Sequence, residues 1–400
     1  MAIISTLLPP LETLPLYAAL AFVVFVAINI LNQLFGPKNP KEPPVVFSWV
    51  PFLGNAVEFG MNPINFLKEC QKKYGDVFTF YMVGRRVTVF LGAEGNQFVF
   101  NAKQNLASAA EAYNHMTKYV FGPEVVYDAP HNVFMEQKRF IKAGLHSEAF
   151  RQHVPMIVEE VENFFKDFKK PTGLFDAYHT LGKLGQHTSA TTSAWTLLEL
   201  AARPDLIRAL REEQITKLGS LKADLTFDNL KELTLLDSCV RETLRLHPPI
   251  YQMMRRVVSD KVVYEKTGHE IPKGNFLCAA PGVTQIDEQY FNEPLKYDPM
   301  RWVNLTDPVH KMEVGDDSNI DYGFGAVGIS SKNPFLPFGA GRHRCIGEQF
   351  GYLQIKAILA TMIRMFDIEL EEGKGVPKPD YTSMVIVPER PSNIKYTWRE

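Results

Sequence analysis

The sequence has no paired cysteines. Its four, Cys70, Cys239, Cys278 and Cys345, lie far apart with no CxxC spacing, which excludes a disulfide-stapled scaffold and leaves reduced thiols suited to a cytosolic setting. Nor is there an excess of charge of one sign. The formal net charge is −2 at pH 7, so no global basic field recommends nucleic acid as the main partner. Internal repeats and low-complexity tracts are missing too, which argues against a solenoid. With 46% apolar and 22% charged residues in 400, the chain can bury a large core as one big domain or two ordinary ones.

Charge is also missing locally. From Leu14 to Leu31 the run LPLYAALAFVVFVAINIL carries none, and extending it to Phe35 reaches the roughly 20 residues a helix needs to cross ~30 Å of hydrocarbon. A cleaved signal peptide has a basic region before its apolar stretch, whereas here Glu12 precedes and Lys38 and Lys41 follow. Residues 1–36 therefore read as a membrane anchor with the remainder in the cytosol; a buried core helix is the other reading. On that topology the sequon Asn304-Leu305-Thr306 never meets the secretory lumen. Residues 37–44, with Pro37, Pro40, Pro43 and Pro44, read as a stiff extended linker that lifts a domain of residues 45–400 off the membrane.

Within that domain, DVFTFYMVGRRVTVFL from Asp76 to Leu91 alternates around Gly84-Arg85 and predicts a hairpin. Apolar residues at three and four spacing predict helices over Pro155–Lys170, Thr188–Ala202, Leu230–Leu246 and Gly347–Phe366. The fold class expected is mainly α with a small β-sheet portion, α+β.

The most informative stretch is Phe338-Gly339-Ala340-Gly341-Arg342-His343-Arg344-Cys345-Ile346-Gly347. Two glycines permit a tight loop whose backbone can approach a flat cofactor, and Cys345 sits just before a helix and beside three basic residues. That setting predicts a lowered thiol pKa. By residue type alone a lone cysteine reads either as a small buried hydrophobe or as a ligand. Zinc is disfavoured, because no second cysteine or histidine stands at ligand spacing. Glu242 and Arg245 lie three apart on a helix stopped by Pro248-Pro249, a spacing that by itself describes an ordinary surface ion pair. His187 and Thr188 open a helix that stops before Pro204. An imidazole beside a hydroxyl can relay protons, or His187 can simply hydrogen-bond a neighbour. The GxGxxG match at Gly323-Phe324-Gly325-Ala326-Val327-Gly328 follows an acidic loop and leads into Ser330-Ser331-Lys332-Asn333-Pro334, so it lacks the strand and helix of a dinucleotide site.

Phe338, Gly341, Cys345 and Gly347, at those spacings, resemble the FxxGxxxCxG haem-binding signature of the cytochrome P450 family. The resemblance implies that Cys345 is the axial thiolate of a haem b iron in a loop with Phe338, Gly339 and Gly341. It also implies that Glu242 and Arg245 form a buried triad with Arg301 of Asp298-Pro299-Met300-Arg301-Trp302. The segment Gln186-His187-Thr188 is similar to the oxygen-relay stretch of sterol 14α-demethylases in that family, which implies catalytic roles for His187 and Thr188. Ala112–Thr117, Val120–Gly122, Val126–Asp128 and Met135–Lys138 are similar to the haem edge and substrate roof of the same group. The comparison implies haem propionates on Tyr113, Tyr127, Lys138, Arg255 and His343, and a substrate cavity lined by Tyr113, Phe121, Ile250 and Met384. The activity implied is oxidative removal of the 14α-methyl group of lanosterol or eburicol, with O2 and with NADPH acting through a separate reductase. The partners implied are sterol, reductase and the lipid of the endoplasmic reticulum membrane.

One segment departs from that pattern. Between Lys170 and Gly185 only PTGLFDAYHTLGKL remains, where the family places several helices, among them the lid over the substrate channel and the first half of the central helix. The expectation is therefore an incomplete P450 fold. It allows two functions: the sterol 14α-demethylase itself, or a membrane-anchored remnant that binds haem weakly or not at all.

Overall fold

The computed structural model describes residues 13–125, 129–303 and 333–399. The sequon and the GxGxxG match lie outside them.

The apolar run forms helix α1 (Leu14–Phe35), long and apolar enough to cross a membrane and not buried against the rest of the chain. The segment after it is not the stiff extended linker expected. Gln33 Nε2 donates to Ser48 O at 2.9 Å and Ser48 N donates back to Gln33 Oε1 at 2.9 Å, so the chain loops out and returns to the end of the helix. The loop itself is tied down by the Glu42–Arg86 ion pair, by Glu270 N on Lys41 O and by Thr79 N on Pro44 O. Prolines forbid a helix here, but they do not forbid packing.

Beyond the loop come α2 (Ala56–Met61), α3 (Pro63–Tyr74), β1 (Val77–Met82), β2 (Arg85–Phe90), α4 (Gly92–Phe100), β3 (Ala107–Ser108), α5 (Ala110–Phe121), α6 (His131–Ala143) and α7 (Ser147–Phe165). The chain continues through β4 (Thr172–Asp176), α8 (Ala177–Leu181), α9 (His187–Ala201), α10 (Pro204–Leu218), α11 (Phe227–Glu232) and α12 (Thr234–Leu246). Then follow β5 (Met253–Val257), β6 (Lys261–Tyr264), β7 (His269–Pro272), β8 (Phe276–Ala279), α13 (Pro281–Thr284) and α14 (Met300–Val303). Helix α15 (Glu348–Met365) leads into β9 (Phe366–Leu370), β10 (Pro379–Asp380), β11 (Val387–Pro388) and β12 (Asn393–Trp398).

The expected hairpin is β1–β2, in register Val77 with Phe90 and Met82 with Arg85. It extends through a parallel pairing of β2 with β8 and antiparallel pairings with β5 and β3 into a five-stranded sheet. The helical half packs α7, α9, α12 and α15 around one core that includes Phe165, Trp195, Leu198, Leu244, Leu359 and Phe366. Each such side chain contributes about 1.5–3 kcal/mol by leaving water. α9 is buried on every face from Ala190 to Ala201, as befits a central helix. Its Thr191, Thr192 and Thr196 hydroxyls return to the carbonyls four residues back, so they enter the core without an unmet donor.

Two helix boundaries differ from the periodicity. α7 begins at Ser147, with His146 Nδ1 accepting from Ala149 N, and carries Pro155 inside it. The stretch Leu230–Leu246 is two helices parted at Leu233, because the Glu213 carboxylate of α10 accepts from Leu235 N and Leu236 N and caps a new helix start. Such capping from a distant element is invisible to a local pattern.

The shortened segment is well packed. β4 pairs antiparallel with β12, which pairs with β9, and Phe175, Ala177 and Leu181 are buried. From α8 the chain turns straight into α9. No helix intervenes to cover the start of α9.

Candidate active site

Residues 336–347 fold back tightly ahead of α15. Cys345 N donates to Phe338 O, Arg344 N to Gly341 O and Gly339 N to Leu336 O, all at 3.0 Å. Glycine is required at two points. Gly341 has φ +63°, and a Cβ there would lie 2.7 Å from Phe100 O; Gly339 has φ +70°, and a Cβ there would lie 2.5 Å from Met253 Cε. The loop meets α15 through Arg344, whose guanidinium holds Glu348 at 2.7 and 2.9 Å.

Cys345 is exposed at the loop surface, whereas Cys70, Cys239 and Cys278 are buried. Those three follow the small-hydrophobe reading. Burial pushes the Cys70 and Cys278 thiols up to about 12 and raises Cys239 as well. The Cys345 thiol does not show the lowering expected from its basic neighbours. Desolvation of the sulfur raises its pKa and Glu348 adds to the rise, against the Gly347 N–H, Lys138 and Arg344, which lower it. Desolvation is the largest of these effects and outweighs the basic neighbours, of which Arg344 is paired with Glu348. A metal bound at the sulfur would stabilise the thiolate.

The structure gathers most of the expected cofactor residues here. α6 lies against the loop: Lys138 donates to Arg342 O at 2.9 Å and Arg344 O at 3.1 Å, and Phe134 stacks on His343 with ring centroids 5.4 Å apart. Across the loop, Met254 N donates to Tyr113 Oη at 2.8 Å, and the adjacent Arg255 is buried in β5. Tyr127 and the side chain of Phe121 lie outside the described residues. An accessible thiol, a glycine loop that no Cβ would allow, and cationic and hydroxyl donors on either side fit a thiolate-ligated, dicarboxylate cofactor such as haem.

Beneath the loop, Glu242, Arg245 and Arg301 do form a triad. Glu242 Oε1 accepts from Arg245 Nη2 at 2.8 Å, Asp298 N at 2.9 Å and Arg301 Nε at 3.1 Å; Oε2 accepts from Arg245 Nε and Trp302 Nε1, both at 2.9 Å. Neither Glu242 nor Arg245 has any solvent exposure, which overturns the surface-pair reading of the spacing. Sequence reasoning missed two members, Trp302 and Gln285. Buried Gln285 donates to Leu244 O and Arg245 O and accepts from Leu336 N, the residue that opens the cysteine loop. No motif announces an amide in that role.

His187 and Thr188, at the first turn of α9, are exposed. The helix start lies beside α15, since a Cβ on Gly185 would sit 3.8 Å from Gln354 Nε2. Ile250 and Met384, expected to line a sterol cavity, are 42% and 58% exposed. Their loops meet through Ile386 N on Pro249 O at 3.0 Å, but nothing among the described residues roofs them over.

Known proteins are similar to this chain along most of its length. The chain is 58% identical to the lanosterol 14-alpha demethylase of Cunninghamella elegans over 96% of both chains. It is 36% identical to the lanosterol 14-alpha demethylase of Schizosaccharomyces pombe, over 92% of this chain and 95% of that one. To the eburicol 14-alpha-demethylase of Penicillium italicum it is 33% identical, over 96% and 97%. The Cunninghamella alignment spans 494 positions against 400 residues here, so that relative carries a long insert this chain lacks. In solved structures, the retinoic acid-bound cyanobacterial CYP120A1 has the same fold, with a TM-score of 0.72 at 17% identity over 90% of this chain and 100% of that one. The cytochrome P450 family model matches residues 43–184 and 180–396, two pieces that meet where α8 runs into α9. By its thiol loop, its buried triad and its likeness to these relatives along nearly its whole length, the chain belongs to the cytochrome P450 family.

Proposed function

We propose that the chain is a haem-thiolate monooxygenase that removes the 14α-methyl group of a sterol of the lanosterol or eburicol kind by successive oxidations, with O2 and with NADPH electrons passed on by a separate reductase. The observation that carries this reading is the exposed Cys345 loop seated on the fully buried Glu242–Arg245 pair. The relatives named for lanosterol and eburicol supply the substrate class and favour a working enzyme over a remnant without turnover.

Cys345 would hold the iron, and Lys138, Arg255, His343, Tyr113 and Tyr127 would hold the propionates. Haem bound there supplies the O2 and one-electron chemistry, with thiolate donation favouring O–O cleavage. The Gly347 N–H draws charge from the sulfur. Gly339 and Gly341, both at positive φ, would let the loop backbone approach the cofactor. His187 and Thr188, adjacent at the first turn of α9, can pass protons one to the other toward the reacting centre. Tyr113, Phe121, Ile250 and Met384 would orient the apolar substrate.

The decisive experiment is the difference spectrum of the reduced, carbon monoxide-bound protein. The parent shows the red-shifted band of a thiolate haem and Cys345→Ala loses it; a band retained in Cys345→Ala ends the assignment. We also place α1 in the endoplasmic reticulum membrane with the domain on the cytosolic face, supported by its length and apolar surface. Fractionation of cells tests this, as does carbonate extraction, which a chain beginning at residue 37 should not resist.

A further inference from the structure

A cleft of about 400 Å³, with no residue of the cysteine loop in its lining, lies between α3, the last turn of α9, the loop after α12 and the segment Pro379–Ile386. Its floor is a fixed polar relay. The His247 ring lies flat on Trp195, with centroids 3.9 Å apart and planes 3° from parallel. His247 Nε2 meets Glu199 Oε1 at 2.9 Å, and Arg203 Nη1 meets Glu199 Oε2 at 2.5 Å. Arg203 in turn stacks on Tyr297, with its guanidinium carbon 4.7 Å from the ring centroid. Glu199 is held ionised: desolvation pushes its pKa up, but His247 and Arg203 together bring it below the usual carboxylate range.

Both oxygens of Glu199 are therefore engaged, and its charge is offset within the floor. What remains facing the cleft is donor-rich. Among the described residues, Lys68, half-buried on α3, has no ion-pair or hydrogen-bond partner and the Tyr381 hydroxyl has no hydrogen bond. Asn62 and Asn65 line the wall beside Lys68, and its apolar part is Ile64, Leu246, Ile286, Leu295 and Ile386. A neutral sterol would leave Lys68 without a counter-charge, and a bare inorganic anion would leave the apolar wall against water. We infer that this cleft binds an anionic amphiphile, a carboxylate or phosphate head on a short apolar chain, with Lys68 and Tyr381 on the head and the leucine and isoleucine side chains along the tail.

Two sources share that chemistry, a free fatty acid and the head of an acidic lipid. The cleft mouth favours neither. One wall, α3, follows the exposed apolar residues Trp49, Phe52 and Met61 in the chain.

The test uses the full chain in phosphatidylcholine nanodiscs with octanoate as probe, followed by calorimetry. Saturable binding is expected, at least tenfold weaker in Lys68→Met and in Lys68→Glu, unchanged in Lys222→Glu, and at least tenfold weaker for octanol than for octanoate. Discs doped with phosphatidate then separate the sources: loss of octanoate binding assigns the site to lipid heads, and retained binding assigns it to free carboxylates. Inorganic phosphate alone should not compete. Equal octanoate affinity in parent and both Lys68 variants, or octanol binding as tightly as octanoate, overturns the inference. Cleft variants that keep the parent's unfolding temperature keep the comparison valid.

Discussion

Arg245 sets two nitrogens of its guanidinium on the two oxygens of Glu242, at 2.9 and 2.8 Å, with neither side chain reached by solvent. Its other donors end on Gln285 O, Pro294 O and Lys296 O. Removing one partner of such a pair leaves the other as a buried, uncompensated charge. Glu242→Ala and Arg245→Ala are therefore each expected to destabilise the chain by about 3–5 kcal/mol. Arg245→Lys should recover little, since one ammonium cannot reach five acceptors spread over a plane. Urea unfolding with haem content measured in parallel checks this; parent-like midpoints in both alanine variants would contradict the triad's structural role.

Gln285 joins that triad to the cysteine loop, because one amide serves two carbonyls at the end of α12 and one N–H of Leu336. Gln285→Leu strands all three groups in the core, at about 1–3 kcal/mol for each one left unmet. Haem should be lost faster than from the parent, and Gln285→Glu should not restore retention, since a carboxylate offers no donor to Leu244 O and Arg245 O. Haem transfer to apomyoglobin measures the rate. A Gln285→Leu variant that holds haem like the parent would show that the loop does not depend on this bridge.

Much of this site is legible in the sequence where it is local. The glycines, Cys345 and the helix after them declare themselves because a tight turn, a ligand and a helix start are consecutive in the chain. The hairpin does so because its turn and alternation are adjacent. What fails is whatever a distant element supplies. The Cys345 thiol shifts the other way because the folded protein desolvates the sulfur, with Glu348 adding to the rise. The helix break at Leu233 depends on Glu213, and the folded-back linker depends on Gln33 meeting Ser48. Gln285 was hidden because its three partners lie on two other segments.

A pH effect follows from Asp237. Burial alone raises its pKa, but Arg241 at 2.6 Å and Lys356 at 3.2 Å outweigh that and hold the carboxyl below its usual range. A depressed folded-state pKa means stability that is fully present above the unfolded value, about 3.9, and is lost as pH falls through the folded value. Asp237→Asn should therefore be less stable than the parent at pH 7, with the difference closing as the pH is lowered below about 4. Unfolding midpoints of both proteins from pH 7 to pH 3 measure it. A difference that stays constant over that range would mean that the charge of Asp237 plays no part.

The shortened segment bears on how efficiently electrons reach product. His187 and Thr188 are exposed, and Ile250 and Met384 are open to solvent on loops beside one another. Water at a reacting centre diverts reducing equivalents to peroxide, and an unheld substrate loses the alignment its C–H bond needs. The expected result is sterol turnover with a low yield of product per NADPH and abundant peroxide when the chain is reconstituted with reductase. The place to restore the missing helices follows from the fold. β4 is an integral strand against β12 and α8 is buried beneath it, while the two family matches meet at residues 180–184. A family-length insert therefore belongs between Leu184 and Gly185, where it leaves the strand and α8 intact; placed after Lys170 it would separate β4 from α7 and open the core around Phe165 and Phe175. With the insert at Leu184, product per NADPH should rise at least tenfold and peroxide should fall, while the carbon monoxide spectrum of the parent is unchanged because the cysteine loop is untouched. Equal product yields from the two proteins would mean that the shortened chain already shields its chemistry from water.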